Sequence, residues 1–177
     1  MATYVVFLRA INLGKRRRVP MADLVDCLLA AGYGDVATHL ATGNVRVSTS
    51  AAGSHAEVET GVERACLERF GFEVPAVVFS AQELLTVVDE AGRLDAGAAH
   101  QYVTLLKSPV PPDVAEELDA WSEPGEGARA GTRAVHWWSE HGTQGARLSN
   151  ERLERRLGVA TTRTVTVVRT VADKWCR

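Results

Sequence analysis

Apolar residues along the chain fall into short continuous runs and into repeats spaced three or four positions apart. Residues 4–9 are apolar on both faces of a strand, which is typical of a central strand buried on both sides. Pro20 suits the first turn of a following helix, and Gly32 suits its end. Two short strands at residues 36–40 and 44–48 come next, separated by a turn signal at residues 42–44.

Capping signals mark the next helices of the first half. A capping box opens a helix at Ser54, and residues 74–79 are an apolar run typical of a strand. A second capping box opens a further helix at Ser80. The order over residues 1–80 is therefore β-α-β-β-α-β, which is the ferredoxin-like arrangement.

The second half restarts the same order and becomes irregular at its end. A strand at 101–106, a helix from Pro111 and a hairpin around Gly131 precede a helix capped by Ser149. Residues 162–175 carry apolar residues at helical spacing but are rich in β-branched residues, which favour a strand. We expect a helix there, because periodicity outweighs propensity where the two disagree.

Together these elements predict an α+β protein with a tandem ferredoxin-like fold. The first half, residues 1–80, has the order βαββαβ. Residues 81–99 are expected to form a connecting helix and loop. The second half, residues 100–177, has the order βαββα with an extra C-terminal helix.

Composition and charge restrict the partners of this chain. Its 177 residues include 20 Lys and Arg against 22 Asp and Glu, a formal net charge of −2. A bulk polyanion binder usually carries a clear basic excess, so any anion site must be local. Cys27 and Cys66 are expected to be small buried apolar residues rather than metal or redox groups. His136 has no partner that the sequence identifies, and we expect it to be structural.

Several classes of function are disfavoured by what the sequence lacks. No segment reaches the roughly 20 apolar residues that a membrane span requires, and no targeting segment precedes the first strand. We therefore expect a reduced, cytoplasmic location and no membrane partner. No cofactor is expected, because the sequence has no phosphate-binding loop, Rossmann glycine fingerprint or other catalytic motif. The pattern leaves the ligand and the oligomeric state open.

The strongest candidate chemistry is the run of cations at residues 15–18, between the first strand and the helix that begins at Pro20. A guanidinium presents a fork that suits phosphate oxygens, and the positive end of the helix dipole adds to the same place. We expect a phosphate-bearing small molecule or nucleic acid to bind here; a solvated basic loop is the alternative. The candidate ligand-binding residues are Arg9, Asn12, Gly14, Lys15, Arg16, Arg18, Asn44, Arg46 and Arg163.

Two other functional classes stay open on this reasoning. In an enzyme, Arg9 would hold a substrate anion, and Asn12 or Thr162 would orient it. In a structural or dimerisation protein, one of Trp137 and Trp138 would serve a subunit contact, since adjacent strand residues face opposite sides of a sheet. An RNA-recognition module, which stacks bases on aromatics from two strands, is disfavoured because the third strand contains no aromatic residue.

Four short motifs occur in one order along the chain. They are Arg9, Ile11, Asn12 and Gly14, then Val-Pro-Met at 19–21, Thr-Gly-Asn at 42–44 and Thr-Thr-Arg at 161–163. These motifs resemble the bacterial domain-of-unknown-function family numbered 1697, which typically has Arg-Gly-Ile-Asn-Val-Gly-Gly, Val-Pro-Met, Ser-Gly-Asn and Thr-Thr-Arg-Asn-Trp. The resemblance covers almost the whole length. It implies a compact α+β protein with two ferredoxin-like halves, and it implies no activity.

The departures from the family motifs fall at the candidate site. Ala10 and Lys15 stand where the family has glycine. Both substitutions add bulk where a glycine loop would let the backbone approach a phosphate. Thr164 and Val165 replace the Asn-Trp pair. A ligand site built on those family positions is therefore weakened in this chain.

Overall fold

A computed structural model describes residues 1–50, 53–93 and 100–177. The chain divides into two compact units, Met1–Leu84 and Leu85–Arg177. Part of the predicted connecting segment, residues 94–99, lies outside the described residues. Among the described residues, every helix is too short or too polar to span a bilayer.

The first unit contains a four-stranded sheet and two helices, followed by the helix on which the division between the units falls. The elements are β1 (Ala2–Leu8), α1 (Met21–Ala30), β2 (Gly34–His39), β3 (Asn44–Thr49), α2 (His55–Phe70), β4 (Ala76–Ser80) and α3 (Ala81–Ala91). The strand order is β2-β3-β1-β4, and every neighbouring pair is antiparallel. Strand β1 is interior, and Val5, Val6, Phe7 and Leu8 have no exposed surface. The predicted central strand is therefore confirmed.

Both predicted capping boxes are present. The Ser54 hydroxyl accepts a hydrogen bond from the backbone N–H of Glu57, whose carboxylate accepts from the backbone N–H of Ser54. Ser80 and Glu83 make the same reciprocal pair at the start of α3. Because each box satisfies two N–H groups that the helix leaves open, these short polar signals fix where both helices begin.

The second unit contains a five-stranded sheet and helices of its own. The elements are β5 (His100–Leu106), α4 (Pro112–Ala120), β6 (Ser122–Glu123), β7 (Glu126–Ala130), β8 (Ala134–Ser139), α5 (Asn150–Leu157), β9 (Ala160–Thr164) and α6 (Val165–Trp175). The strand order is β6-β7-β8-β5-β9, again antiparallel throughout. Without the two-residue β6, the order β7-β8-β5-β9 repeats β2-β3-β1-β4 of the first unit. The mixed α+β architecture with two antiparallel sheets is confirmed.

The predicted order βαββα for the second half lacked β9. This strand is defined by its pairing with β5, where the Thr104 and Thr162 hydroxyls are 2.8 Å apart. Its sequence has no apolar alternation that would mark a strand. The ambiguous segment 162–175 contains both structures, because the strand ends at Thr164 and that residue caps the helix through the backbone N–H of Val167.

Candidate anion-binding loop

The segment between β1 and α1 carries the predicted cations, and we call residues 10–18 the basic loop. Ile11, near its start, is 3% exposed, and Val19, just after its end, is 1% exposed. Both side chains belong to the hydrophobic core of the first unit, together with Leu8 and Leu24. The chain therefore leaves the core at Ile11 and returns to it at Val19, which fixes both ends of the loop.

Asn12 closes the basic loop with its side chain. Its Nδ2 donates to the carbonyl oxygens of Val19, at 2.9 Å, and of Ala41, at 2.7 Å. Its Oδ1 accepts from the backbone N–H of Val19 at 2.8 Å. Both amide hydrogens are engaged, so this side chain joins the two ends of the loop to the turn between β2 and β3.

Arg17 also holds the loop in shape. Its Nε donates to the carbonyl oxygen of Ala10 at 2.8 Å, and its Nη2 donates to that of Glu73. Its guanidinium lies 4.9 Å from the ring centroid of Phe72. Because this guanidinium donates to two carbonyls and packs on an aromatic ring, it stabilises the conformation of the loop.

The backbone of the basic loop turns sharply. Ala10, Asn12, Gly14 and Arg17 have φ angles of 53°, 54°, 66° and 55°. This left-handed region costs a residue with a Cβ about 1–2 kcal/mol, except that Asn tolerates it better. The positive φ of Ala10 gives a conformational reason for the glycine that the family motif has there. Gly14 has open space where a Cβ would lie, so its requirement is conformational as well.

Lys15, Arg16 and Arg18 are exposed, as Arg17 is, but they differ from Arg17 in their contacts. Their side chains make no hydrogen bond or ion pair with the residues that the structure describes. Three cations on a loop anchored at both ends give a local positive surface on a chain of net charge −2. Guanidinium and ammonium groups pair with anionic oxygens, which makes this surface the candidate anion site.

Three other predicted candidates in the first unit have defined positions in the sheet. Arg9 directly follows β1, is partly buried, and donates its backbone N–H to Pro75 at 2.8 Å. Asn44 is fully buried, and its Nδ2 donates to the His39 carbonyl oxygen at 2.7 Å, which closes the turn between β2 and β3. The Nε of Arg46 donates across the sheet to the Asp35 carbonyl oxygen at 3.1 Å.

Arg163, the last predicted candidate, lies on β9 in the second unit. Its Nη1 donates to the Thr161 hydroxyl at 2.8 Å and to the Thr162 carbonyl oxygen at 2.9 Å. Burial lowers the pKa of Arg163 to about 10, so the side chain stays charged at neutral pH. Arg163 is not part of the basic loop.

The two adjacent tryptophans on β8 have different surroundings. Trp137 is buried, stacks on Tyr102 at 4.4 Å between ring centroids, and donates from Nε1 to the Thr104 hydroxyl at 3.0 Å. Trp138 is partly buried, with the Arg129 guanidinium 5.8 Å from its ring centroid. Their opposite orientations follow from the alternation of side chains along a strand.

Sequence reasoning missed the partner of His136. Its Nε2 contacts the Glu90 carboxylate on α3, which is 46 residues away in sequence. Nothing in the local pattern indicates this pair. The prediction that His136 is structural stays a prediction, although the contact gives the imidazole a definite orientation.

The cysteines occur as free thiols. Cys66 is buried, and burial raises its pKa to about 12. Cys27 is half-buried, and desolvation raises its pKa as well. Thiols held protonated are poor nucleophiles and poor metal ligands. Within residues 1–50, 53–93 and 100–177, no group of three or more His, Cys, Asp or Glu side chains could hold a metal ion.

The chain is similar to known proteins in its family and in its fold. A family model described as Protein of unknown function (DUF1697) matches residues 1–136, so the motif at 161–163 lies beyond the matched range. The solved structure of the conserved bacterial protein SP0830 from Streptococcus pneumoniae is similar, with a TM-score of 0.71 and 17% sequence identity. The alignment covers 97% of each chain, and at this identity it shows the fold alone. The comparison with curated proteins returned no match.

Proposed function

We propose that this chain, which belongs to the DUF1697 family of proteins of unknown function, binds phosphate groups through its basic loop. The ligand class is a phosphate-bearing small molecule or a single-stranded nucleic acid. One observation carries the proposal: Lys15, Arg16 and Arg18 are exposed, while Asn12 and Arg17 fix the backbone between them.

A fixed loop favours binding because less conformational freedom is lost when the ligand arrives. Helix α1 begins at Met21, shortly after the last cation of the loop, so the positive end of its dipole adds to the same surface. Each exposed guanidinium can donate two parallel hydrogen bonds to phosphate oxygens. Arg9 and Arg46 belong to the same unit and are further candidate contacts.

We also infer that each half of the chain is a ferredoxin-like unit. The order βαββαβ with strand order β2-β3-β1-β4 supports this for the first unit. The order of β7, β8, β5 and β9 supports it for the second, with β6 as an addition and α6 after the last strand.

The proposal is tested by titrating a labelled single-stranded oligonucleotide and following fluorescence anisotropy at several salt concentrations. About three phosphate contacts give a slope near −2 for the logarithm of affinity against the logarithm of salt. The variant Lys15→Gln/Arg16→Gln/Arg18→Gln should bring that slope close to zero. A matched variant, Arg64→Gln/Arg155→Gln/Arg169→Gln, removes the same charge from exposed positions elsewhere and should keep the slope.

A thermal-shift series with nucleotides and inorganic phosphate tests the small-molecule form of the proposal. A ligand at 100 times its dissociation constant stabilises the folded chain by about 2.7 kcal/mol, and the loop variant should lose that gain. Equal losses in the two triple variants would show general charge attraction instead of a site. No binding of oligonucleotide, nucleotide or phosphate at low salt would overturn the proposal.

A further inference from the structure

The second unit has a cavity of about 220 Å³ between α4 and α5. Val114, Leu118 and Leu153 line it, and all three belong to the hydrophobic core of the unit. Trp121, at the end of α4, and Leu157, at the end of α5, are partly buried and also line it. The volume corresponds to about seven water molecules, so the cavity has room for a compact apolar group.

Charged side chains line the same cavity. Arg152 and Arg156 lie four residues apart on α5 and therefore share one helix face. The Arg156 Nη2 pairs with the Glu117 carboxylate of α4 at 2.6 Å. The Arg152 Nη1 donates to the Arg147 carbonyl oxygen at 2.6 Å. Two guanidiniums against one carboxylate leave one net positive charge beside an apolar floor.

An incoming anion can replace the Glu117 carboxylate as the partner of Arg156. The two side chains are 48% and 59% exposed, and an ion pair in solvent is stabilised only weakly. A guanidinium has five N–H donors, so Arg156 and Arg152 keep donors that can face an incoming anion. The cavity thus offers an apolar surface and an anion-binding group within one small volume.

We propose that this cavity binds a small organic monoanion with an apolar body, of the class of aryl or branched alkyl carboxylates. The apolar body lies against Trp121 and Leu153, and the carboxylate is bound by Arg156 and Arg152. A single negative charge matches the single excess positive charge of the lining. This site uses no residue of the basic loop. The proposal is therefore independent of the phosphate proposal and is tested separately.

The test compares two probes of equal shape, 3-phenylpropanoate and its neutral amide, 3-phenylpropanamide. Each is titrated into the full chain at millimolar concentrations, followed by tryptophan fluorescence and by two-dimensional NMR of backbone amides. We expect the carboxylate to bind about threefold more tightly than the amide, because an exposed ion pair contributes only weakly to affinity. Trp121→Phe should abolish the fluorescence change, which assigns it among the four tryptophans.

Glu117→Gln separates the effect of charge from the effect of apolar contact. Removing this carboxylate frees Arg156, so affinity for the carboxylate probe should rise about threefold while affinity for the amide stays the same. Arg156→Gln should lower carboxylate affinity by a similar factor. The matched variants Glu116→Gln and Arg155→Gln alter exposed neighbours that do not line the cavity, and neither should change binding.

Three results would overturn the proposal: equal affinity for the two probes, no gain in Glu117→Gln, or amide shifts that fall outside α4, α5 and the residues beside them. Melting temperatures of all variants are measured in parallel, to check that each replacement leaves the fold intact. If a replacement lowers the melting temperature, the probe pair titrated into the unmodified chain still decides the question.

Discussion

Glu90 on α3 and His136 on β8 form a hydrogen-bonded pair in the second unit, with 3.1 Å between the carboxylate Oε2 and the imidazole Nε2. The imidazole is 1% exposed. The other carboxylate oxygen accepts from the backbone N–H of Thr132 at 3.1 Å and from its hydroxyl at 3.2 Å. The Glu90 carboxylate therefore joins α3 to the turn between β7 and β8.

This geometry gives the stability of the chain a dependence on pH. Desolvation raises the pKa of Glu90, but the hydrogen bonds from His136 and Thr132 together outweigh it and hold that pKa below its usual value. A lowered pKa in the folded state means that ionised Glu90 stabilises the fold above its unfolded pKa. That contribution is lost as the pH falls through the folded pKa.

We expect Glu90→Gln to lower the free energy of unfolding by about 1–2 kcal/mol at neutral pH, because hydrogen bonds to a charged acceptor are lost. The difference from the unmodified chain should shrink as the pH falls below the ordinary pKa of glutamate and through the lowered pKa of native Glu90, because the native carboxylate then also becomes protonated. Urea unfolding across this pH range measures both effects. Glu116→Gln, at an exposed position, serves as the control. A loss that stays constant down to about pH 2 would contradict the assignment to ionised Glu90.

Ala10 provides a prediction of increased stability. Its φ of 53° costs a residue with a Cβ about 1–2 kcal/mol, and glycine has no such cost. Glycine also gives the unfolded chain more freedom, which offsets about 0.4–1 kcal/mol. Ala10→Gly should therefore raise the free energy of unfolding by about 0.5 kcal/mol.

The control for Ala10→Gly is Ala22→Gly, which places glycine at an exposed position of helix α1. That change should destabilise the chain by about 1 kcal/mol, because glycine is a poor helix former. Urea unfolding at neutral pH measures both variants. Destabilisation of similar size in the two would show that the backbone of Ala10 is not strained.

The features that the sequence predicted correctly depend on neighbours a few residues apart. The capping boxes at Ser54 and Ser80 and the turn at residues 42–44 are signals of this kind. Strand β1 was recognisable because its burial on both faces leaves a continuous apolar run. Local chemistry was therefore sufficient to locate most elements and to predict the mixed architecture.

The features that the sequence did not predict depend on distant pairing. Asn12 stays a predicted ligand contact, and the bond from its amide to Ala41, 29 residues away, is a contact that the sequence did not indicate. Strand β9 exists through its pairing with β5, and His136 finds its partner 46 residues away. None of these contacts leaves a pattern in a short window of sequence. The bond from Arg17 to the carbonyl oxygen of Glu73, which distinguishes Arg17 from the neighbouring cations, also joins residues far apart in sequence.

Gly127 and Trp138 are cross-strand partners on β7 and β8. A Cβ added to Gly127 would lie 2.0 Å from Cζ2 of the Trp138 indole, far inside van der Waals contact. Gly127→Ala should therefore force the indole or the strand to move, at a cost of about 1–3 kcal/mol in the free energy of unfolding.

In the Trp138→Ala background the same change should cost much less, because the opposing ring is gone. Urea unfolding of the two single variants and the double variant measures this coupling. Equal costs of Gly127→Ala in the two backgrounds would show that the indole does not cover the glycine.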